Sequence, residues 1–249
     1  MKDKDYDNLI YGIRPVLEAI EAGKTLDKIF VQKGLQSELW HELRDALKAN
    51  GISYFSVPIE KLNRLTRKNH QGVTAFISPI AFHDLGEQIQ SSFESGKTPL
   101  FLMLDSVTDV RNFGAIVRTA ECSGVDAIII PHKGSASINA DAVKTSAGAL
   151  FNVPVCKEHS LVRAASFLQN SGFQVVGCTE KTENHIYDCD FSVPTVIVMG
   201  NEETGISPDL MTKADTNVKI PMYGTISSLN VSVATGVILY EVVRQRFEP

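Results

Sequence analysis

Residues 100–120 read LFLMLDSVTDVRNFGAIVRTA. The first five residues form a continuous apolar run, which suits a strand covered on both faces. After a polar turn, Ala115, Ile116, Val117 and Ala120 fall at the spacing of a helix packed on one side. The same alternation recurs downstream. Apolar runs at DAIIIP (126–131), QVVGC (174–178) and TVIVMG (195–200) are separated by helical patterns over about 113–123, 139–147 and 159–171, and a last amphipathic helix spans Ser228 to Gln245. Strands alternating with helices through short turns imply an α/β fold built on an open parallel sheet.

Upstream, Ile13, Val16, Leu17 and Ile20 recur at helical spacing before the short run KIFVQ (28–32). A second apolar stripe, Leu39, Leu43 and Leu47 with Trp40 and Ala46, is stopped by Asn50-Gly51, a helix-ending pair. ISYFSV (52–57), a short helix over about 59–66 and GVTAFI (72–77) complete a small α/β module. Residues 85–98, LGEQIQSSFESGKT, are polar and rich in Ser and Gly, which marks either a linker or a short exposed helix between domains. The organisation expected is a module over 1–84, a linker over 85–98 and a larger domain over 99–249.

Of 249 residues, 43% are hydrophobic and 21% charged, a composition that excludes collagen-like, disordered and membrane-spanning classes. The opening MKDKDYDNLIYGIRP lacks the basic region and apolar run of a secretory signal, so a cytoplasmic protein is expected. Cys122, Cys156, Cys178 and Cys189 form no CxxC pair, which argues for buried reduced thiols and against a structural metal.

A net charge of -5 weighs against nucleic acid, yet it is unevenly spread. Residues 1–84 carry 12 Lys and Arg against 11 acids, and the remainder 12 against 18. Lys61, Arg64, Arg67, Lys68 and His70 fall within ten residues that hold no acid. Such a run is either a solvated helix end or an edge that binds phosphate.

In open parallel sheets ligands bind beyond the carboxyl ends of strands. Three such ends are rich in Gly, Asn and polar groups: the one after Asp105, GNEETGIS (200–207), and VKIPMYG (218–224) leading into TISSLN. Asp109 or Asn112 could simply cap a helix, and so could Ser227 to Asn230. Gly200 and Gly205 have phosphate-loop spacing without the following Lys, and no GxGxxG is present, so neither usual nucleotide loop is favoured. A Gly-rich loop holding two carboxylates suits a cationic ligand approached closely by backbone, such as a sulfonium bearing an adenine.

Asn112-Phe113-Gly114-Ala115-Ile116-Val117-Arg118-Thr119-Ala120, Val198-Met199-Gly200-Asn201-Glu202 with Gly205, and Ile220-Pro221-Met222 with Ser227-Ser228-Leu229-Asn230-Val231-Ser232 resemble, in order, the three motifs of the SpoU (TrmH-type) branch of the SPOUT RNA methyltransferases. The front module resembles the ribosomal-protein-like RNA-binding domain of members that act on 23S rRNA guanosine.

The resemblance implies a trefoil-knotted catalytic domain, an obligate homodimer with its active site completed across the interface, and methyl transfer from S-adenosyl-methionine to a ribose 2′-hydroxyl, leaving S-adenosyl-L-homocysteine. No metal or membrane is implied. Arg118 would activate the hydroxyl. Asn112 and Glu202 would orient Arg118 or the ribose, with Ser228 and Asn230 beside the reacting centre. Thr179, Met199, Gly200, Asn201, Gly205, Ile220, Met222, Ser228 and Leu229 would hold the cofactor, and Lys61, Arg64, Arg67 and Lys68 the RNA. Transfer to tRNA and a catalytically silent ribosome-assembly factor are the other readings. This chain departs from many relatives in carrying Glu203 for Gly and Val110 for Pro.

Overall fold

A computed structural model describes residues 8–247; the opening residues 1–7, on which the leader reading partly rests, lie outside them. The chain divides into two compact units, one running to Ala81 and counting residues 137–139 with it, the other comprising Phe82–Ala136 and the chain from Ala140.

The first unit contains β1 (Leu9–Tyr11), α1 (Ile13–Glu21), β2 (Leu26–Gln32), α2 (Glu38–Ala49), β3 (Phe55–Val57), α3 (Ile59–Leu65) and β4 (Val73–Ile77). Its sheet runs β1-β4-β2-β3, with β2 and β3 parallel and the other pairs antiparallel. Ser37 caps α2 by accepting from the Trp40 N–H. Trp40, Leu43 and Leu47 then pack with Val16, Ile29 and Val73. Phe30, Val57 and Leu62 form a smaller separate cluster.

The second unit contains α4 (Leu85–Glu94), β5 (Leu100–Leu104), α5 (Val110–Cys122), β6 (Ala127–Pro131), α6 (Ala140–Thr145), β7 (Val155–Glu158), α7 (Leu161–Asn170), β8 (Gln174–Cys178), β9 (Thr195–Met199), α8 (Pro208–Lys213), β10 (Thr216–Val218) and α9 (Val231–Arg246). All strand pairs are parallel, in the order β10-β8-β9-β5-β6-β7. Every residue of β5 and β9 is buried, which explains their unbroken apolar runs. On one face Phe101, Met103, Val196 and Val198 pack with α4, α7 and α8. Helix α5 packs against α6 and α9. A Cβ on Gly114 would lie 1.9 Å from Thr145 Oγ1, so the α5–α6 approach requires glycine there.

The chain builds β5, β6 and β7 in one direction and returns to place β9 on the other side of β5. That reversal puts the carboxyl ends of β5 and β9 side by side, with Leu104 opposite Met199. It is the position at which an open sheet holds ligand.

Several expectations need correction. Residues 85–94, expected as a linker or a short exposed helix, are helix α4, capped by Asp84, with Leu85 and Ile89 buried in the second unit's core. Strand β7 lies outside the long apolar runs: it is a short edge strand ending in Lys157 and Glu158. Of the four thiols, all free, Cys156 alone is fully buried and Cys122 is exposed. Burial pushes Cys156 and Cys178 up to about 12, so both stay protonated. His70 does not belong to a cationic edge. It is buried, its Nε2 pairs with Asn63 Oδ1 at 3.0 Å, its Nδ1 accepts from the Gly72 N–H, and desolvation lowers its pKa. Among the described residues, no helix is long and apolar enough to cross a membrane, and no group of three or more His, Cys, Asp or Glu is placed to hold a metal.

Candidate active site

Asp109, at the end of the β5–α5 turn, caps α5 by accepting from the Asn112 N–H at 2.8 Å. This leaves the Asn112 side chain free to reach away from its own helix. Its Nδ2 donates to Glu202 Oε1 at 3.0 Å, on the loop after β9. Asn230, the N-cap of α9, donates from its Nδ2 to the same oxygen and to Asn112 Oδ1, the latter at 3.2 Å. The Val231 N–H also points to Glu202 Oε1, at 3.4 Å.

An ionised carboxylate only accepts, so this arrangement fixes both amides with nitrogen toward Glu202. Asn230 Oδ1 accordingly accepts from the N–H and hydroxyl of Ser232, at 3.0 and 2.6 Å. Asn230 is therefore both helix cap and partner of Glu202. Three elements from three parts of the chain meet at one carboxylate, and Glu202 Oε2 makes no hydrogen bond to the described residues.

Beside this triangle lies a cavity of about 320 Å³. Thr179, Met199, Gly200, Asn201, Gly205, Ile220, Met222, Ser228 and Leu229, all expected as cofactor residues, line it together with Glu202. Cys178, Glu180, Lys181, Lys219 and Ala234 also line it, beyond what the motifs imply. Glu180 and Lys181 sit just past the β8 run, a fourth strand end to which the same ligand-binding rule applies.

The loop forming one wall turns back on itself. Asn201 and Gly205 exchange backbone bonds of 3.1 and 2.8 Å, and Gly205 adopts φ +70°. A Cβ on Gly200 would lie 2.2 Å from Gly205 C and Ile206 N, so only glycine permits this closure. Asn201 Oδ1 accepts from the Glu203 N–H at 2.8 Å, and Glu203 is not among the residues with positive φ. The loop thus accommodates glutamate at 203 without backbone strain.

Arg118 makes no bond to this triangle within one chain. It lies six residues beyond Asn112 on α5, is exposed, and its side chain makes no ion pair or hydrogen bond to the described residues. Glu202 binds the two asparagines rather than orienting Arg118. In the first unit, Lys61 and Arg64 are exposed on α3, and Arg67 and Lys68 are exposed in the turn after it. Lys61 Nζ lies 5.1 Å from the Phe30 ring centre and Lys68 Nζ 5.6 Å from that of Tyr11.

Residues 99–240 match the SpoU rRNA Methylase family, and residues 9–82 match the family described as RNA 2′-O ribose methyltransferase substrate binding. The chain belongs to the SpoU family. A similar relative, a putative TrmH family tRNA/rRNA methyltransferase of Staphylococcus haemolyticus, is 35% identical over 97% of each chain. Among solved structures, the SpoU methyltransferase AviRb of Streptomyces viridochromogenes, crystallised with the cofactor AdoMet, is 27% identical with a TM-score of 0.61, covering 96% of this chain and 90% of its own. A TrmH/SpoU tRNA modifying enzyme of A. aeolicus is 37% identical with a TM-score of 0.56, covering 65% of this chain and 84% of its own. This SpoU chain is accordingly an RNA methyltransferase with an RNA substrate-binding domain in front.

Proposed function

We propose that the chain transfers a methyl group from S-adenosylmethionine to the ribose 2′-hydroxyl of a guanosine in 23S rRNA, and that it does so as a homodimer. The observation that carries this reading is the Asn112–Glu202–Asn230 triangle at the rim of the cavity, with Glu202 Oε2 left available.

The cavity suits the cofactor chemically. Met199, Ile220, Met222 and Leu229 offer apolar walls to an adenine, the turn at Gly200 admits close backbone contact, and Glu202 and Glu203 favour a positive centre. When bound, the sulfonium supplies an activated methyl group. Glu202 Oε2 is free to accept a hydrogen bond from the ribose hydroxyl. Arg118, unpaired among the described residues, supplies a positive charge for the forming alkoxide, because a guanidinium stabilises negative charge far better than it removes a proton, and the hydroxyl proton leaves late to water. Alignment of nucleophile and methyl accounts for much of the rate, up to roughly 7–11 kcal/mol in favourable cases.

The lack of a bond between Arg118 and Glu202 within one chain supports a site completed by a second copy. Helix α9 supports it too: Val233 and Tyr240, seven residues apart on one face, are each about half exposed, at 52% and 53%. Lys61, Arg64, Arg67 and Lys68 would contact RNA phosphates.

The front domain favours rRNA. The A. aeolicus tRNA modifying enzyme, similar over 65% of this chain, keeps tRNA as the second reading. The intact set Asn112, Arg118, Glu202 and Asn230 weighs against a silent assembly factor. Mapping 2′-O-methylation in total RNA from cells with and without the protein tests the reading. One rRNA guanosine losing its mark supports it, and an unchanged rRNA map overturns it.

A further inference from the structure

The geometry points to Asp105 as a positioning residue for the cofactor loop, an inference that rests on the assignment of the Gly200–Gly205 cavity to S-adenosylmethionine. Asp105 directly follows β5 and is 7% exposed, yet it does not line the cavity. Its backbone N–H donates to Met199 O at 2.8 Å, which aligns it with the start of the loop after β9. Its Oδ2 accepts from the Ser207 N–H at 2.7 Å, and its Oδ1 from the Ser106 hydroxyl at 3.0 Å. Ser106 takes the left-handed conformation, φ +61°, uncommon for a residue with a Cβ. Its carbonyl accepts from Asn201 Nδ2 at 2.9 Å.

Two consecutive residues after β5 therefore hold the loop at both ends, Ser106 at Asn201 and Asp105 at Ser207. A segment with glycine at 200 and 205 has little stiffness of its own. Fixing it before the ligand arrives removes an ordering cost from binding. A carboxylate suits this position because a charged acceptor makes shorter and stronger bonds to N–H groups than a neutral one. Burying it without those donors would be costly. Asp105 acts on cofactor affinity through the loop, with no contact to reacting atoms.

The bond can be removed from either side. Asp105→Ala deletes the acceptor. Ser207→Pro deletes the donor, and Ser207 already has φ -59°, the angle proline imposes. Asp105→Asn keeps an oxygen for Ser207 and turns its amide to Ser106. Calorimetric titration of the full chain with S-adenosylhomocysteine, alongside thermal unfolding without ligand, reads the effect. Asp105→Ala and Ser207→Pro should each weaken binding about tenfold to a hundredfold, with Asp105→Asn within about fivefold of wild type.

In turnover with RNA, KM for the methyl donor should rise in the same ratio while kcat at saturating donor stays within about threefold. Folded Asp105→Ala or Ser207→Pro with wild-type affinity overturns the role, as does Asp105→Asn binding as poorly as Asp105→Ala, or a fall in kcat at constant KM. If Asp105→Ala does not fold, Ser207→Pro and Asp105→Asn decide the matter. Absence of methyl transfer by the wild-type protein would count against the ribose reading, and the homocysteine titration still decides the role of Asp105.

Discussion

Asn112 Nδ2 and Glu202 Oε1, ninety positions apart in the chain, lie 3.0 Å from one another across the ends of β5 and β9. Glu202→Gln keeps the size of the side chain, and its amide oxygen can still accept from the two asparagines, but an NH2 donor then replaces the free Oε2 that would accept from the ribose hydroxyl. Methyl transfer in single turnover should fall about tenfold to a hundredfold, equivalent to roughly 1.4–2.7 kcal/mol of barrier. Thermal unfolding should move little, because the triangle is exposed. A wild-type rate would remove Glu202 from the reaction.

Arg118 offers a cleaner separation of stability from chemistry. With no side-chain partner among the described residues, Arg118→Ala should leave the unfolding free energy within about 0.5 kcal/mol of wild type, as surface substitutions usually do. Methyl transfer should fall by about a hundredfold or more, the scale on which removal of one stabilising group acts. RNA and cofactor affinities, measured separately, should persist.

The pair Arg64→Ala and Arg67→Ala tests the edge of the front domain. RNA affinity should fall, and the slope of log affinity against log salt should flatten by about 1.4–1.8, or 0.7–0.9 for each phosphate that is no longer neutralised. S-adenosylhomocysteine affinity should not change. An unaltered salt slope would place the phosphates elsewhere.

Gly200→Ala inserts a methyl group where no space exists, 2.2 Å from the backbone of Gly205 and Ile206. The loop must open to admit it. Urea unfolding should show a decrease of about 1–3 kcal/mol, typical of forced overpacking, and cofactor binding should weaken with it.

His132 gives a pH signature. Its ring stacks on His159 with centres 4.1 Å apart, and burial, then the neighbouring His159 and Lys157, lower its pKa to about 4. The unfolded chain binds this proton near pH 6.5, so the folded state loses stability as pH falls from about 6.5 towards 4. His132→Gln should flatten that limb of a Tm-against-pH curve, while the curve above pH 7 keeps its shape. Parallel curves throughout would show that the ring does not resist protonation.

The parallel strands are legible in the sequence because burial on both faces leaves an unbroken apolar run, as in β5 and β9. Strand β7 is not, because an edge position lets Lys157 and Glu158 into it. Helix α4 is legible only as one of two alternatives, since its buried positions, Leu85, Ile89 and Ser92, are few and one of them is polar. Most of the cavity lies at strand ends rich in Gly and Asn, which the sequence marks, whereas its part as a cofactor site comes from the family resemblance and Thr179 to Lys181 lie at a fourth end with no such pattern. Asp105 is not marked either, since an acid ending a strand has no distinctive pattern until Ser207 is seen against it. His70 departs from expectation because charge type says nothing of whether a side chain points inward or out.

The placing of β5 between β6 and β9 has a consequence for biosynthesis. Nascent chain through residue 158 can pair β5 with β6 and β6 with β7, while the other edge of LFLML stays bare until Thr195–Met199 has been translated. An apolar strand with an open edge is an invitation to pair with a neighbouring chain. Slow translation between β7 and β9, or truncation before residue 195, should therefore route this protein into aggregates, and a chaperone that shields that edge should have its greatest effect in the same interval.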